Sequence, residues 1–239
     1  MDTVKFNKRN TLMVAHRGLS GLERENTAAA FIAAANRTYY GIETDIYRTL
    51  DGKFVICHDS ALLRLVGEDV SVESLTLDTI QSLVLYDTYG TKTRADLRLP
   101  TLENYIDICK RYGKHCVLEL KSAFTDEETE RFINVIKELD YLEGVTFISF
   151  NYENLKRVKK ILPEQSCQYL FSDVTDETIE MLVNDKIDLD IHYSKLTQEL
   201  VNKLHAAGII INCWTVDNPD SAERVAAMGV DYITSNILE

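Results

Sequence analysis

The sequence predicts an α/β fold, a single parallel (β/α)8 barrel with a small subdomain inserted after the second barrel strand. Eight short β-rich runs alternate with helical patterns along the 239 residues, which favours a closed parallel barrel over an open sheet. A chain of this length can bury one large core, so we expect a single domain over residues 1–239. About seventy residues, from Tyr47 to His115, replace the short crossover after the second strand, and they predict the insertion.

The barrel strands are runs rich in apolar residues that turn residues or helical patterns separate. We expect them at Leu12–His16, Gly41–Ile46, Cys116–Lys121, Val145–Phe150, Ser166–Ser172, Leu189–Tyr193, Ile209–Val216 and Tyr232–Ser235. Helical patterns lie between these runs, and several begin after Asn, Thr or Asp, which favour the N-cap position. The helices are predicted at Thr27–Tyr39, Leu102–Tyr112, Asp126–Leu139, Tyr152–Ile161, Asp176–Asn184, Thr197–Ala206 and Pro219–Met228.

The insertion, at about residues 47–115, contains a short predicted strand at Lys53–His58. Pro100 and Thr101 are typical of the first residues of a helix, so the next barrel helix is predicted to begin there. Loops that follow the strands of a parallel barrel build its active-site face. We therefore expect the insertion to lie over the pocket.

The charge and composition of the chain limit the kinds of binding partner and the cellular location that we expect for it. The net charge of −12 argues against nucleic acid or an anionic membrane surface, since both attract basic patches. No stretch reaches the ~18 apolar residues of a membrane span, and the polar start predicts a cytoplasmic location by default. The five cysteines lack paired spacing and are expected to be reduced and structural. We expect a small-molecule partner and no stable membrane association, while the oligomeric state stays open.

Charged residues occupy core positions on two predicted strands. Side chains alternate along a strand, so Glu43 and Asp45 share one face of the second strand, and Glu119 and Lys121 share one face of the third. Burying unpaired carboxylates costs several kcal/mol, which favours a bound cation as the reason for this pattern. A register slipped by one would instead turn both acids of the second strand toward the apolar helices and bury Thr44 inside the barrel, so we consider it the less favourable alternative.

Two histidines lie near predicted strand ends, in His16-Arg17-Gly18 and His58-Asp59. In a parallel barrel these ends share one rim, so residues far apart in sequence can meet there. Two imidazoles, several oxygen ligands and two cations are what phosphodiester cleavage needs, because the cations offset phosphoryl charge while the histidines move protons. Either histidine alone is more often structural, and Glu119 with Lys121 would alone be an ordinary ion pair.

Three further features carry weaker predictions. Glu25-Asn26-Thr27 precedes an alanine-rich helix, and capping that helix is as good an interpretation as a direct role in the site. Trp214, the only tryptophan, is a candidate wall of the pocket that could stack on a quaternary ammonium group, with core packing as the equal alternative. His192 and Asp190 share a strand face, which predicts a hydrogen-bonded structural pair.

Taken together, these motifs resemble the glycerophosphodiester phosphodiesterase family along essentially the whole chain. The matching pieces are His16-Arg17-Gly18, Glu25-Asn26-Thr27, Glu43-x-Asp45, His58-Asp59, Leu99-Pro100-Thr101-Leu102, Glu119-x-Lys121 and Trp214-Thr215-Val216. The resemblance implies a TIM barrel with an inserted subdomain that hydrolyses glycerophosphodiesters to sn-glycerol 3-phosphate and an alcohol. It also implies that Glu43, Asp45 and Glu119 are metal ligands, that His16 and His58 are the acid-base pair, and that Arg17 and Lys121 contact phosphate.

One departure from the family pattern concerns the last strand. The family usually ends this strand in Thr-Asp-x-Pro, whereas this chain has Ile233-Thr234-Ser235-Asn236 and three further residues. We therefore expect the final barrel helix to be absent and Met1–Thr11 to cover the gap.

The resulting hypothesis is a phosphodiesterase that depends on one divalent metal ion, Mg²⁺ or Ca²⁺. The alternatives are a lysophospholipid phosphodiesterase, a glycosidase that uses Glu43 and Glu119 as its carboxyl pair, and a non-catalytic binding protein for phosphorylated glycerol compounds. The glycosidase reading leaves both histidines and Lys121 without a role. The alcohol group, the division of acid and base between the histidines, and water or a glycerol hydroxyl as nucleophile stay open.

Overall fold

The structure is a computed structural model, and it describes residues 2–239. Eight parallel strands form a closed barrel that helices surround, so the predicted fold class is confirmed. The first barrel strand pairs with both the second and the last, which closes the ring. Each of the eight predicted strands is present, with ends within about three residues of the predicted ones.

The elements follow one another in the alternating order of a (β/α)8 barrel. The strands are β1 (Leu12–Ala15), β2 (Gly41–Arg48), β3 (Phe54–Ile56), β4 (His115–Leu120), β5 (Val145–Ser149), β6 (Cys167–Leu170), β7 (Asp188–His192), β8 (Ile211–Trp214) and β9 (Tyr232–Ser235). The helices are α1 (Ala28–Ala35), α2 (Leu63–Val66), α3 (Leu77–Ser82), α4 (Leu102–Tyr112), α5 (Asp126–Glu138), α6 (Tyr152–Ile161), α7 (Asp176–Asp185), α8 (Gln198–Ala206) and α9 (Pro219–Met228).

Alternation along the strands separates the main core from the barrel interior. Ile42 and Ile46 of β2 belong to the main core between barrel and helices, as do Leu118 and Leu120 of β4. Residues of the opposite parity point into the barrel, where Val14, Val117, Ile148 and Leu170 form a small apolar cluster. The barrel interior is therefore filled with side chains, and this apolar cluster lies beside the polar groups of the barrel.

Side-chain caps fix where the helices begin. Thr101 and Thr125 each accept a hydrogen bond from the backbone N–H three residues later, and both complete a capping box. Pro219 occupies the first turn of α9, directly after the cap Asn218. These local signals explain why α4, α5 and α9 begin at the residues that the sequence predicts.

Within the predicted insertion, the residues between β2 and α4 form a layer of their own. β3 pairs antiparallel with β2, and Val55 bridges to Thr101 at the start of α4. A separate apolar cluster underlies this layer, formed by Tyr47, Val55, Cys57, Leu62, Leu65, Val66, Val72, Leu77, Ile80, Leu85, Leu97 and Leu99. α4 itself packs against α1 and β4, so it belongs to the helices of the barrel.

The two ends of the chain meet beside β1 and β9. After β9 no further helix follows among the described residues, as expected. The N-terminal segment covers this edge, since Val4 pairs with Leu238 and the Glu239 carboxylate accepts hydrogen bonds from Thr3 and Thr38. Met1, part of the predicted cover Met1–Thr11, lies outside the described residues.

Two predictions about composition can be compared with the structure. All five cysteine thiols are buried and free of disulfide bonds, as predicted. Across residues 2–239, the chain has no helix whose length and apolar character would suit a bilayer span.

Candidate active site

Three carboxylates converge inside the barrel, two from the middle of β2 and one from the C-terminal end of β4. Asp45 lies opposite Glu119 in the register of the two strands, and Glu43 precedes Asp45 by two residues on the same face. One oxygen from each of the three side chains lies within 4.8 Å of the other two, and all three residues are buried. The structure thus brings together the acids that strand parity had predicted to meet.

Two cations lie against these carboxylates. Lys121 Nζ is 2.9 Å from an oxygen of Glu119 and 3.7 Å from Asp45 Oδ1. Arg17 Nε is 3.8 Å from Asp45 Oδ2. Burial and the neighbouring Asp45 charge raise the pKa of Glu119 to about 8, although Lys121 opposes this shift. Burial also raises the pKa of Glu43, so two cations do not fully compensate three buried acids.

The donor set fits a hard divalent cation. Asp45 Oδ1 is buried and has no hydrogen-bond partner in the part of the chain that the structure describes. An orphaned carboxylate oxygen beside two further acids is costly unless a cation neutralises it. Oxygen ligands from three carboxylates suit Mg²⁺ or Ca²⁺.

The turn after β1 holds Arg17 in an uncommon backbone conformation. Arg17 has φ 54° and Gly18 has φ 76°. Any side chain at Gly18 would collide with the backbone of Ala30, 2.7 Å from an added Cβ atom. The turn points the Arg17 N–H at Glu43 Oε2, where it donates a hydrogen bond of 2.8 Å. His16-Arg17-Gly18 is therefore a tight turn that delivers both a backbone donor and a guanidinium.

The sequence left two roles open for the segment Glu25-Asn26-Thr27, capping of the helix and a direct role in the site, and Thr27 and Asn26 each take one of them. Thr27 caps α1 by accepting a hydrogen bond from the Ala30 N–H. Asn26, at φ 53°, donates from Nδ2 to Asp45 Oδ2 at 2.8 Å and accepts from Thr44 Oγ1 at 2.7 Å. The segment thus both caps a helix and reaches the acid cluster.

His16 lies above the acids at the end of β1. Its Nδ1 is 2.8 Å from Asn236 Oδ1, and its Nε2 is 3.9 Å from Glu43. Because an amide oxygen only accepts, Nδ1 carries the proton and Nε2 keeps its lone pair in the neutral ring. Burial and the Arg17 charge lower the pKa of His16, which favours this neutral form.

His58 approaches the same cavity from the insertion. Its Nδ1 is 2.8 Å from the Asp59 carboxylate, so Nδ1 donates and Nε2 is available. His16 and His58 both line one cavity of about 180 Å³, together with Arg17, Glu43 and Glu119. The two predicted motifs therefore meet at one site although α1 and β2 lie between them in sequence.

The opposite wall of the cavity is apolar. Ile148, Phe150, Leu170 and Trp214 line it, and the Phe150 ring lies edge-on to Trp214 at 5.7 Å between centroids. Trp214 thus lies at the pocket, whereas nothing in the sequence had indicated Phe150. Its position at the C-terminal end of the predicted strand Val145–Phe150 is the signal that could have found it.

The predicted His192–Asp190 pair is wrong. His192 Nδ1 bonds Ser194 Oγ at 2.8 Å, and its ring lies edge-on to Trp214. Asp190 points into the barrel and accepts from Asn212 Nδ2 at 3.2 Å. The difference arises because β7 ends at His192 and the chain turns there, which carries that side chain outward to the rim.

Comparison with known proteins agrees with this geometry. The family model for the glycerophosphoryl diester phosphodiesterase family matches residues 16–238. The chain belongs to this family. It is therefore an enzyme, a phosphoric diester hydrolase of the glycerophosphodiester phosphodiesterase class.

Relatives and solved structures of this family match over nearly the full chain. A glycerophosphodiester phosphodiesterase of Caldanaerobacter subterraneus is 32% identical, with 95% of this chain and 94% of that protein covered. A phosphodiesterase of Oleispira antarctica, solved in complex with the product sn-glycerol-3-phosphate, has a TM-score of 0.87 at 27% identity and covers 98% of this chain and 96% of its own. A family member from Parabacteroides distasonis has a TM-score of 0.81 at 28% identity, with 95% and 93% covered.

Proposed function

We propose that this family member hydrolyses glycerophosphodiesters to sn-glycerol 3-phosphate and an alcohol, with one divalent metal ion and two histidines. The observation that carries the proposal is the cavity itself. Two histidines, one arginine and two of three clustered carboxylates line it, so acid-base groups, positive charge and oxygen ligands all reach one small volume. The product named for the Oleispira antarctica neighbour supports glycerol phosphate as the retained half of the substrate.

Glu43, Asp45 and Glu119 would hold the metal ion, Mg²⁺ or Ca²⁺. A divalent ion held there would supply Lewis-acid stabilisation of the negative charge on the phosphoryl group. The carboxylates also fix the position of the two cations, since Lys121 and Arg17 both contact Asp45.

Arg17 and Lys121 would bind the phosphate of the substrate. The chain has a net charge of −12, so an anionic substrate needs a local source of positive charge. Both side chains are mostly buried, which strengthens their interaction with phosphate relative to an exposed contact. Their present carboxylate partners balance that charge in the free protein.

His16 and His58 would exchange protons with the reacting oxygens. Each has Nδ1 occupied by a hydrogen bond to its own partner, which leaves Nε2 as the reactive nitrogen. One removes a proton from the attacking oxygen and the other donates one to the departing alkoxide. The two rings have different hydrogen-bond partners, a neutral amide for His16 and a carboxylate for His58, which suits a division into one acid and one base.

A direct assay tests the proposal. Chelator-treated protein, with and without added Mg²⁺ or Ca²⁺, is incubated with glycerophosphocholine, and glycerol 3-phosphate is detected with a coupled dehydrogenase. We expect turnover only with metal and none in Glu119→Gln, while Glu127→Gln on the exposed surface of α5 behaves as wild type. Undiminished turnover in the chelated protein would refute the metal dependence.

The apolar wall favours a second candidate, a lysophospholipid phosphodiesterase. Phe150 is 53% exposed beside the cavity, and it continues the apolar surface of Trp214 out to the rim. Such a surface could contact an acyl chain. A panel of glycerophosphocholine, glycerophosphoethanolamine, glycerophosphoglycerol and a lysophospholipid, compared by kcat/KM, separates the two functions.

A further inference from the structure

A continuous series of hydrogen-bonded charges joins His58 to Arg17. His58 Nδ1 bonds Asp59 Oδ1 at 2.8 Å, and Asp59 Oδ2 accepts from Arg64 Nε at 2.7 Å. Arg64 then donates through both terminal nitrogens to Glu25, at 2.7 and 2.8 Å. Glu25 Oε1 also accepts from Arg17 Nη1 at 2.9 Å. All three side-chain nitrogens of Arg64 are thus used, on two carboxylates.

This series crosses from the insertion to the barrel. His58, Asp59 and Arg64 belong to the insertion, whereas Glu25 and Arg17 belong to the loop between β1 and α1. The insertion touches this loop at two further points, where Arg94 pairs with Glu23 at 2.7 Å and Arg24 donates to the Arg64 carbonyl at 3.3 Å. Among these contacts, only the ion pairs of Arg64 involve carboxylates that also bind His58 or Arg17.

We propose that Arg64 is a positioning residue that sets the ring orientation and tautomer of His58 and, through Glu25, the direction of the Arg17 guanidinium. The inference rests on the proposed function, in which those two side chains act on the substrate. Arg64 does not line the cavity, so it acts through Asp59 and Glu25 rather than on the substrate.

The physical argument is that a carboxylate orients a histidine only if the carboxylate is itself held. Asp59 lies on a loop, and one of its two oxygens is committed to Arg64. Burial works against ionisation of Asp59, but the hydrogen bonds from Arg64 and His58 lower its pKa to about 2, so it accepts as an anion. A planar guanidinium can hold two carboxylates at fixed angles, which an ammonium group cannot do.

The second consequence concerns Glu25. Burial opposes its ionisation too, yet Arg64 and Arg17 together lower the pKa of Glu25 to about 2. Without Arg64, Glu25 would have Arg17 as its one remaining side-chain cation among the described contacts and would hold it more tightly. Arg64 therefore shares the charge of Glu25 and leaves Arg17 able to turn toward a phosphate.

Two readouts test the proposal on the full chain. In the first, kcat and KM for glycerophosphocholine are measured with Mg²⁺ for wild type, Arg64→Ala, Arg64→Lys and Arg94→Ala. We expect kcat to fall about 10- to 100-fold in Arg64→Ala, since a small misplacement of a catalytic group has this effect. Arg64→Lys should recover only part of the loss, and Arg94→Ala, which removes a matched ion pair to the same loop, should stay near wild type.

The second readout needs no turnover. Long-range ¹H–¹⁵N spectra of protein labelled at histidine nitrogens report the tautomer, with the His58 signals assigned by their loss in His58→Asn. Wild type should carry the His58 proton on Nδ1, and Arg64→Ala should shift it toward Nε2, the form that predominates in a ring without a fixed partner. If wild type fails to hydrolyse glycerophosphodiesters, the proposed function is wrong, and these spectra still decide the role of Arg64.

Three results would overturn the inference. They are an unchanged kcat in Arg64→Ala, an equal loss in Arg94→Ala, and a His58 tautomer that does not respond to Arg64. Circular dichroism and melting curves establish that each variant is folded. If Arg64→Ala does not fold, Arg64→Lys tests the inference by the same two readouts. Lysine keeps the positive charge but lacks the planar guanidinium that binds two carboxylates at once.

Discussion

Asn26 donates a hydrogen bond of 2.8 Å from Nδ2 to Asp45 Oδ2, and the other oxygen of Asp45 is left for the acid cluster. The two residues come from different elements, the loop before α1 and the middle of β2. Thr44 donates a hydrogen bond of 2.7 Å to the side-chain oxygen of Asn26. This contact orients the amide so that its nitrogen faces Asp45. Asn26 thereby sets the rotamer of a carboxylate proposed to hold a metal ion.

Replacing Asn26 with glycine should weaken metal binding. Glycine keeps the backbone at φ 53° without strain and removes only the amide, so Asp45 loses its orienting donor. We expect about a 10- to 100-fold loss of metal affinity, the usual effect of removing a partner of a ligand. Titration calorimetry with Mg²⁺ and Ca²⁺ measures it. Asp140→Gly, which also changes a residue of positive φ but lies far from the cluster after α5, should leave the affinity unchanged.

The metal-free protein should lose stability as the pH rises from about 6.5 to 8. The pKa of Glu119 is about 8 in the folded chain and near 4.5 in the unfolded one, so the folded state binds more protons in this window. The contribution of Glu119 to stability is therefore fully present below pH 4.5 and is lost as the pH rises through 8, at up to about 1.4 kcal/mol per pH unit for one proton. Calorimetric melting in a chelating buffer measures this slope.

Glu119→Gln should flatten that slope, because the glutamine cannot titrate. Part of it should remain, since burial also raises the pKa values of Glu43 and Asp190. Glu127→Gln, at an exposed position, serves as the control. An equally steep loss of stability in Glu119→Gln and wild type would show that Glu119 is ionised throughout.

Each of the two proposed catalytic histidines should be needed for turnover. His16→Asn and His58→Asn are expected to lower kcat by about 10²- to 10⁴-fold, as removal of a general acid or base does. His205→Asn removes a ring that pairs with Asp231 on the surface, and it should keep wild-type activity. Steady-state rates with glycerophosphocholine decide the matter, and full activity in either site variant contradicts the acid-base role.

Trp214 should favour substrates with a cationic alcohol group. Its ring lines the cavity, and Phe150 and His192 both pack edge-on to it. We expect Trp214→Leu to raise KM several-fold for glycerophosphocholine, since a cation over an indole contributes about 1 kcal/mol, and to change KM little for glycerophosphoglycerol. Equal changes for both substrates would mean that Trp214 contributes only apolar contact.

The barrel and the acid cluster could be predicted because both depend on local periodicity. Strand parity alone places Glu43 and Asp45 on one face, and a parallel barrel brings Glu119 beside them. The apolar residues of the opposite parity fix this register, because slipping it would turn Ile42 and Ile46 into the barrel and both acids toward the apolar helices. The positions of these acids thus follow from residues within a few places of them.

The contacts that orient the site could not be predicted, because they depend on loop geometry. Asn26 reaches Asp45 only because its φ is positive, and Asn236 meets His16 across 220 positions of sequence. Arg64 meets Glu25 only after the insertion has folded against the first barrel loop. No periodic pattern records such contacts, since each needs two irregular segments placed together.

The pairing of Val4 with Leu238 makes the chain nearly a closed loop. A linker of a few glycines could join residue 239 to residue 2, and new ends could then be opened at Gly90, an exposed turn where an added methyl group would touch nothing. Such a circular permutant would keep every barrel strand continuous. Opening the chain at Gly90 without joining the original ends would instead divide it within the insertion, which offers a route to a split enzyme whose two fragments regain activity only when they meet.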